Sequence, residues 1–227
     1  MKNNSIFKNL LKTTAILALC ATVISCKKND VDESGTANIR IVNASSSSSA
    51  QSFYLANSAV VNGGLTFGQN SSYIAFSSGN NLEAQFRNEG SSTAYATGKF
   101  NLDNGSYYTI FLAGDGQQAR VKMFPDDLSP VSGSAKVRFI HLSDAAPSNI
   151  DIRRGSGENL AVNLGINNAS NYITLAPGVL SLNIYATGQS TSLANFNLSS
   201  FAAGKVYTVY ISGATSGSVS IHQITDN

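Results

Sequence analysis

The chain has 227 residues, of which 42% are hydrophobic and 12% charged, and its formal net charge is +2. This composition is typical of one or two folded domains and excludes both a disordered chain and a multispan membrane protein. Three of the 15 basic residues lie within residues 1–25, so the remainder has 12 basic and 13 acidic residues, a net charge of −1. Because the remaining chain lacks an excess of positive charge, we expect no nucleic acid among its partners.

The first 25 residues predict an export signal. Lys2, Lys8 and Lys12 form a positive region, and TTAILALCATVI follows it as an apolar run of about a dozen residues. A membrane-spanning helix needs roughly 20 apolar residues, which this run does not reach. We therefore predict a signal peptide over residues 1–25, and no later segment is apolar enough to cross a membrane.

A cysteine ends this signal. The residues Val23-Ile24-Ser25-Cys26 resemble the lipobox of bacterial lipoproteins. The resemblance implies a diacylglycerol thioether on Cys26, cleavage before it, and further acylation with fatty acids such as palmitate. Two or more acyl chains give stable membrane anchoring, so a membrane is the first expected partner. Cys20 would leave with the signal, and the mature protein would then contain no disulfide.

Residues 26–36 predict a lipidated, flexible tether. The residue after Cys26 is Lys27 rather than aspartate, and KKNDVDE resembles the tether signals of Bacteroidota lipoproteins that reach the outer face of the outer membrane. We therefore expect a lipid-anchored protein of the outer membrane that faces the cell exterior. A plain solvated spacer is the alternative, and it leaves open whether the protein faces the periplasm or the exterior.

An internal repeat organises the rest of the chain. ANIRIVNAS at 37–45 returns as AKVRFIHLS at 135–143, and GSYYTIFLAG at 105–114 returns as GKVYTVYISG at 204–213. Matching segments at both ends of each copy indicate a duplication. The Pro-, Asp- and Ser-rich stretch between the copies is typical of a linker. We predict a first domain over 37–127, a linker over 128–134 and a second domain over 135–227.

The apolar residues within each copy alternate with a period of two. Leu82, Ala84 and Phe86 would face one side of a strand, and Leu180, Leu182 and Ile184 repeat the pattern in the second copy. Turns rich in Gly, Asn and Ser recur at strand-length intervals, and no helical stripe follows residue 26. The predicted fold class is all-β, with two tandem antiparallel β-sandwich domains that are immunoglobulin-like in the loose sense.

The second copy carries a family resemblance. VRFIHLSDAAP at 137–147, with Asp151, the Tyr172 strand and the segments APG and AGKVYT further on, resembles domain-of-unknown-function family 4397, a family of bacterial extracytoplasmic domains. The resemblance covers residues 135–224, and the first copy matches less well. It implies tandem β-sandwiches on exported proteins, and it supplies no catalytic residues to carry over.

Three neighbouring residues could suggest catalysis. His141, Ser143 and Asp144 are the residue types of a hydrolase triad, but triads are assembled from separate loops. At the end of a strand, Ser and Asp more often bond to the turn that follows. We therefore predict no catalytic residues and no enzymatic activity. A hydrolase that uses loops of the second domain remains the alternative.

The sequence predicts neither a metal site nor a cofactor. Asp30-x-Asp32-x-Ser34-Gly35 imitates the start of a calcium loop, but Ile41 stands where the twelfth position requires a glutamate. The remaining histidine, His222, is distant from His141 in the sequence, and nothing in their spacing indicates a zinc site.

The sequence also contains candidate residues for a binding site. Tyr185 lies on the solvent side of its predicted strand, opposite Leu182 and Ile184, and Arg153 and Arg154 occupy a predicted hairpin tip. Aromatic and arginine side chains are frequent in contact sites. The recurring tyrosines are predicted as core or corner residues: Tyr73, Tyr108, Tyr172 and Tyr207. We predict a non-enzymatic lipoprotein that binds or presents a glycan or an envelope protein; a purely structural envelope spacer is a further alternative.

Overall fold

The computed structural model describes residues 29–214 and 219–227. Within these residues all regular elements are β-strands, apart from one 3₁₀ turn at Gly116–Gln118. The predicted all-β fold is therefore confirmed. No helix in the described part of the chain is long and apolar enough to cross a membrane. The predicted signal peptide and Cys26 lie outside the described residues.

The first half of the chain forms one continuous network of seven paired strands. In the order of pairing they run β3-β2-β4-β1-β6-β7, and β5 also pairs with β4. Their bounds are β1 Asp30–Asn43, β2 Gln51–Leu55, β3 Ser58–Leu65, β4 Ile74–Asn88, β5 Ala94–Leu102, β6 Tyr107–Ala113 and β7 Arg120–Pro125.

The second half forms two separate sheets. One has the order β10-β9-β13-β14, and the other has the order β11-β8-β15-β16, with β12 also paired to β8. The bounds are β8 Ala135–His141, β9 Asn149–Arg154, β10 Asn159–Gly165, β11 Asn168–Ala169, β12 Ile173–Leu175, β13 Gly178–Ala186, β14 Ser192–Phe201, β15 Val206–Ser212 and β16 Ser220–Thr225.

One long strand explains why the first half is continuous. The beginning of β4, residues 74–80, pairs with β1, whereas residues 84–88 pair with β2 and residues 79–87 with β5. The strand therefore takes part in two layers, and the alternating Leu82, Ala84 and Phe86 are fully buried. In the second half Pro177 lies between β12 and β13. Because proline has no N–H group to donate to a ladder, the chain is divided there between two sheets.

Strand direction differs from the prediction at two places. Most pairs are antiparallel, as predicted, but β1 runs parallel to β6 and β8 runs parallel to β15. Strands in parallel pairs are usually covered on both faces and are therefore apolar throughout. β15 is buried along its whole length, and β6 is buried except at its first residue. Alternation in the sequence reports burial, and it does not report the direction of a neighbouring strand.

Hydrophobic clusters fill each half and the junction between them. One cluster lies within the first half, a second within the second half, and a third joins the two. The junction cluster comes from β1, β6, β7, β8, β15 and β16 and the residues after β1 and β8: Val42, Ala44, Phe111, Ala113, Phe124, Ile140, Leu142, Tyr210 and Ile224. The halves thus share an apolar interface.

Two ion pairs join the halves across the same interface. Arg138 of the second half binds Asp126 of the first, and Arg40 of the first half binds Asp226 of the second at 2.5 Å. All four side chains are buried. Arg138 also donates to the Thr208 hydroxyl at 2.9 Å, which itself donates to Asp226 at 2.8 Å. Each half therefore contributes one buried arginine and one buried aspartate.

Part of the predicted tether is a strand, and a residue near the predicted linker lies in the interface. β1 begins at Asp30, so residues 30–36 of the predicted tether belong to a strand, with Asp30 opposite Asn80 and Asp32 opposite Ser78. Asp126, next to the predicted linker, is held in the interface by Arg138. The internal duplication and the limits of the two domains stay predictions.

Candidate functional site

Arg153 and Tyr185 meet on one face of the four-stranded sheet. They lie on the neighbouring strands β9 and β13, where Asn183 is opposite Arg153 and Tyr185 is opposite Asp151. The guanidinium carbon of Arg153 lies 4.2 Å from the centre of the Tyr185 ring. This distance is typical of a cation–π contact. Two of the three predicted contact residues are therefore brought together.

Asp151 fixes the position of Arg153. Its carboxylate accepts hydrogen bonds from the N–H groups of Asn163 at 2.9 Å and Gly188 at 3.1 Å, and Arg153 donates to it at 3.2 Å. Burial by itself would raise the pKa of Asp151, but these hydrogen bonds outweigh it and lower the pKa below its ordinary value. The charged form of Asp151 thus links β9, β10 and the turn after β13.

Three side-chain amides and one hydroxyl continue this surface. Asn183 is opposite Asn195, and Ser181 is opposite Asn197, whose side-chain oxygen accepts a hydrogen bond from the Ser181 hydroxyl. Side chains two positions apart share a face of a strand, so these residues lie on the same side as Tyr185. We define the outer face by six residues: Arg153, Ser181, Asn183, Tyr185, Asn195 and Asn197. The serine and the asparagines are not among the residues predicted from the sequence, although polar residues alternate with apolar ones through NFNLS at 195–199.

Arg154 does not join the outer face. It is opposite Leu182, whose side chain is buried in the core, and its guanidinium pairs with Glu158 at 2.9 Å across the hairpin. Neighbouring residues of a strand point to opposite faces. The two adjacent arginines are therefore separated, and the predicted contact role of Arg154 is not supported by its position.

The first half carries a similar stack with the residue types exchanged. Tyr54 on β2 lies under Arg87 on β4, with 4.1 Å between the guanidinium carbon and the ring centre. Here Glu83 and Lys99 stand opposite each other on the same face. The corresponding surface of the first half is therefore charged, whereas the outer face of the second half consists mainly of amides and hydroxyls.

His141 is held by two backbone groups. Its Nε2 lies 2.9 Å from the Pro147 carbonyl oxygen, and its Nδ1 accepts the Ser143 N–H at 3.3 Å. The ring is fully buried, and burial lowers the pKa of His141 below its ordinary value. This pattern requires a neutral ring with its proton on Nε2. Both nitrogens are therefore occupied by the loop that follows β8.

Ser143 and Asp144 also bond elsewhere. The Ser143 hydroxyl oxygen accepts the N–H groups of Ala145 at 3.2 Å and Ala146 at 3.3 Å, and Asp144 pairs with Arg120 at 2.8 Å. The three residues are close in sequence, but these hydrogen bonds do not connect them as nucleophile, base and acid. Their bonds are those of a turn.

Asn43 makes the equivalent bonds at the end of β1. Its side-chain oxygen accepts the Ser45 N–H at 3.0 Å, and its nitrogen donates to the Leu65 carbonyl at 3.0 Å. Histidine and asparagine therefore serve a similar purpose at corresponding positions: each accepts the N–H two residues ahead, and each donates to a backbone carbonyl, in the loop after β8 for His141 and at the end of β3 for Asn43.

This equivalence yields a prediction for His141. His141→Asn is expected to change the free energy of unfolding by less than about 1 kcal/mol, because asparagine can accept the Ser143 N–H as Asn43 accepts that of Ser45. His141→Ala is expected to cost about 1–3 kcal/mol, because it leaves the N–H of the buried Ser143 without its partner. Urea denaturation of both variants measures the difference. Equal losses in the two would contradict this account of the site.

The other histidine lies in the junction between the halves. The His222 ring stacks on the Tyr210 ring, with ring centres 4.7 Å apart. It also packs at nearly a right angle to the Phe67 ring, with ring centres 5.0 Å apart. Across the residues that the structure describes, no group of three His, Cys, Asp or Glu side chains is placed to hold a metal ion. The recurring tyrosines Tyr108 and Tyr207 are buried, and the Tyr207 hydroxyl accepts the Ala202 N–H at 2.9 Å.

Comparison with solved structures gives a weak likeness. Ten chains match. One of them is CBMbc, a family CBM26 domain of Eubacterium rectale Amy13K, solved in complex with maltoheptaose. It is 11% identical, the TM-score is 0.29, and the match covers 83% of the present chain and 97% of that chain. No curated protein matches the sequence.

Comparison with protein families gives a clearer result. The family model described as "Domain of unknown function (DUF4397)" matches residues 37–153. The sequence resemblance was predicted over residues 135–224, so the match lies further toward the N-terminus and includes the first half from residue 37 onward, β8 and most of β9. It covers more than half of the 227 residues. The chain therefore belongs to the DUF4397 family.

Proposed function

We propose that this protein is a non-enzymatic lipoprotein of the outer membrane that binds glycans at the cell surface through the outer face of its second half. The lipobox-like residues before Cys26 support the anchor. The outer face supports the binding activity, because it is partly exposed and is made from groups that suit a sugar. An envelope protein remains the alternative ligand.

The main support for glycan binding is the Arg153–Tyr185 stack, which lies beside a row of amides and hydroxyls. A sugar ring presents C–H groups on its faces and hydroxyls at its edges. Tyr185 offers apolar surface together with a polar tip, and each asparagine offers both donors and an acceptor. Because Asp151 and Arg153 restrict the tyrosine, little side-chain freedom would be lost on binding.

The anchor would hold the first half near the membrane. Cys26 precedes the start of β1 at Asp30 by four positions. Four residues span at most about 14 Å when fully extended. A lipidated Cys26 would therefore keep the beginning of β1 close to the bilayer, in contrast to the longer flexible tether predicted from the sequence.

Tyr185→Ala tests the binding activity. We expect a roughly fivefold or larger loss of affinity for oligosaccharides that bind the outer face, since a stacking contact is worth about 1 kcal/mol or more. The measurement is a glycan array of defined neutral and acidic oligosaccharides, followed by calorimetric titration of the hits. Tyr54→Ala, which removes the similar stack in the first half, is the matched control and should bind normally. If both variants bind like the wild type, the outer face is not the site.

Cys26→Ala tests the anchor. The variant should not incorporate labelled palmitate and should not fractionate with membranes. Cys20→Ala should be labelled normally, because that residue would leave with the signal. Continued labelling of the Cys26 variant would show that the anchor is wrongly assigned. Digestion of intact cells with an external protease then distinguishes a protein that faces the exterior from one that faces the periplasm.

A further inference from the structure

A groove lies beside the junction, apart from the outer face. Its volume is about 740 Å³, and it is lined by β10, by the stretch from β11 to β12 and by Phe124 at the end of β7. Small-molecule sites usually have volumes of about 300–1,000 Å³. β10 and β11 are the terminal strands of their sheets, so the groove runs along the edges of both layers of the second half.

The lining of the groove is uncharged. Apolar surface comes from Phe124, Val162 and Ile173, and side-chain amides come from Asn168 and Asn171. Both amides are exposed, and Val162 is 60% exposed. None of the residues lining the groove, all within the described part of the chain, carries a charge. An ionic ligand would lose hydration there without gaining a partner of opposite charge.

The strand edge does not suit an extended peptide. The pairing of β10 with β9 shifts register twice, between Asn159 and Ala161 and between Ala161 and Leu164. Asn163 within β10 has a positive φ of 52°. Such irregularities disturb the regular row of N–H and carbonyl groups that an added strand requires. A compact ligand with both apolar and hydrogen-bonding surfaces fits the groove better.

We infer that this groove is a second carbohydrate site and that it is selective for uncharged sugars. The C–H face of a pyranose would lie on the apolar lining, and its hydroxyls would bond to the amides of Asn168 and Asn171. The inference extends the proposed function to a second site, and the two sites can be tested separately because they share no residue.

The test uses the full-length Cys26→Ala protein, which carries no lipid. Oligosaccharides of glucose, mannose, galactose and N-acetylglucosamine are titrated by calorimetry, with a uronic-acid oligosaccharide as the charged counterpart. The groove variants are Asn168→Ala/Asn171→Ala and Val162→Arg, all at exposed positions. We expect each to weaken the binding of an uncharged sugar at least tenfold, while Tyr185→Ala leaves binding at the groove intact.

Several outcomes would overturn the inference. They are tighter binding of the uronic-acid oligosaccharide, unchanged binding by both groove variants, or no binding of any uncharged sugar. If Tyr185→Ala alone abolishes binding, the outer face accounts for it, and the groove assignment fails while the proposed function stands. If only the groove variants lose binding, the outer face is the wrong site and the groove is the right one.

Discussion

Replacing Asp126 with alanine is expected to lower the free energy of unfolding by about 3–5 kcal/mol, because it leaves the buried Arg138 guanidinium without its countercharge. The Asp126 carboxylate also accepts hydrogen bonds from the hydroxyls of Tyr73 and Thr109, both at 2.7 Å. Its side chain is fully buried, and that of Arg138 is 2% exposed. Urea denaturation at neutral pH, followed by circular dichroism, measures the loss.

The adjacent residue provides a matched control. Asp127 pairs with Lys136 at 2.5 Å, but its side chain is 57% exposed. Exposed ion pairs contribute little to stability, so Asp127→Ala should cost about 1 kcal/mol or less. Equal losses from the two substitutions would show that burial of Asp126 between the halves is not what makes it important.

A double variant distinguishes the effect of an unpaired buried charge from the effect of lost packing at the Asp126–Arg138 pair. Asp126→Leu combined with Arg138→Met removes both charges and retains apolar volume. Such replacements of a buried pair are often neutral or stabilising, whereas removal of one partner is costly. We therefore expect the double variant to recover much of the stability that Asp126→Ala loses. A double variant as unstable as the single one would indicate that the bonds to Tyr73 and Thr109 dominate.

Several features of the fold could be predicted because they depend on local sequence. The alternation of Leu82, Ala84 and Phe86 identifies buried positions of a strand wherever that strand pairs, and all three are buried. The same argument places Tyr185 on the side opposite Leu182. The two parallel pairs could not be predicted in this way, because strand direction is set by the path of the whole chain.

The interface residues depend on longer separations. Arg40 and Asp226 are 186 positions apart, and nothing in the sequence around either residue identifies the other as its partner. The paired asparagines of the outer face also require the register between β13 and β14. Arg153 and Arg154 show a further limit: adjacent arginines looked like one feature, but strand alternation separates them.

Gly79 and Gly178 are two glycines with similar backbone conformations but different surroundings. Both have positive φ, 155° and 132° respectively, and both lie where the chain passes from one set of strand partners to the next. A Cβ at Gly79 would come 2.2 Å from the Asp30 carbonyl oxygen and 2.9 Å from the Val31 Cα, whereas a Cβ at Gly178 would meet nothing within 4 Å. Only Gly79 is therefore covered by another segment, the beginning of β1.

Gly79→Ala should consequently be more destabilising than Gly178→Ala. Both variants place a side chain at a φ that disfavours one, at a cost of about 1–3 kcal/mol. Gly79→Ala must also displace β1, and we expect about 1–3 kcal/mol of further loss from this overpacking. Urea denaturation gives the two free energies, and hydrogen exchange should show faster exchange at residues 30–32 in Gly79→Ala alone. Equal losses, with unchanged exchange there, would mean that the beginning of β1 is not docked on β4. If the beginning of β1 is packed on β4, only four positions separate the folded first half from a lipidated Cys26.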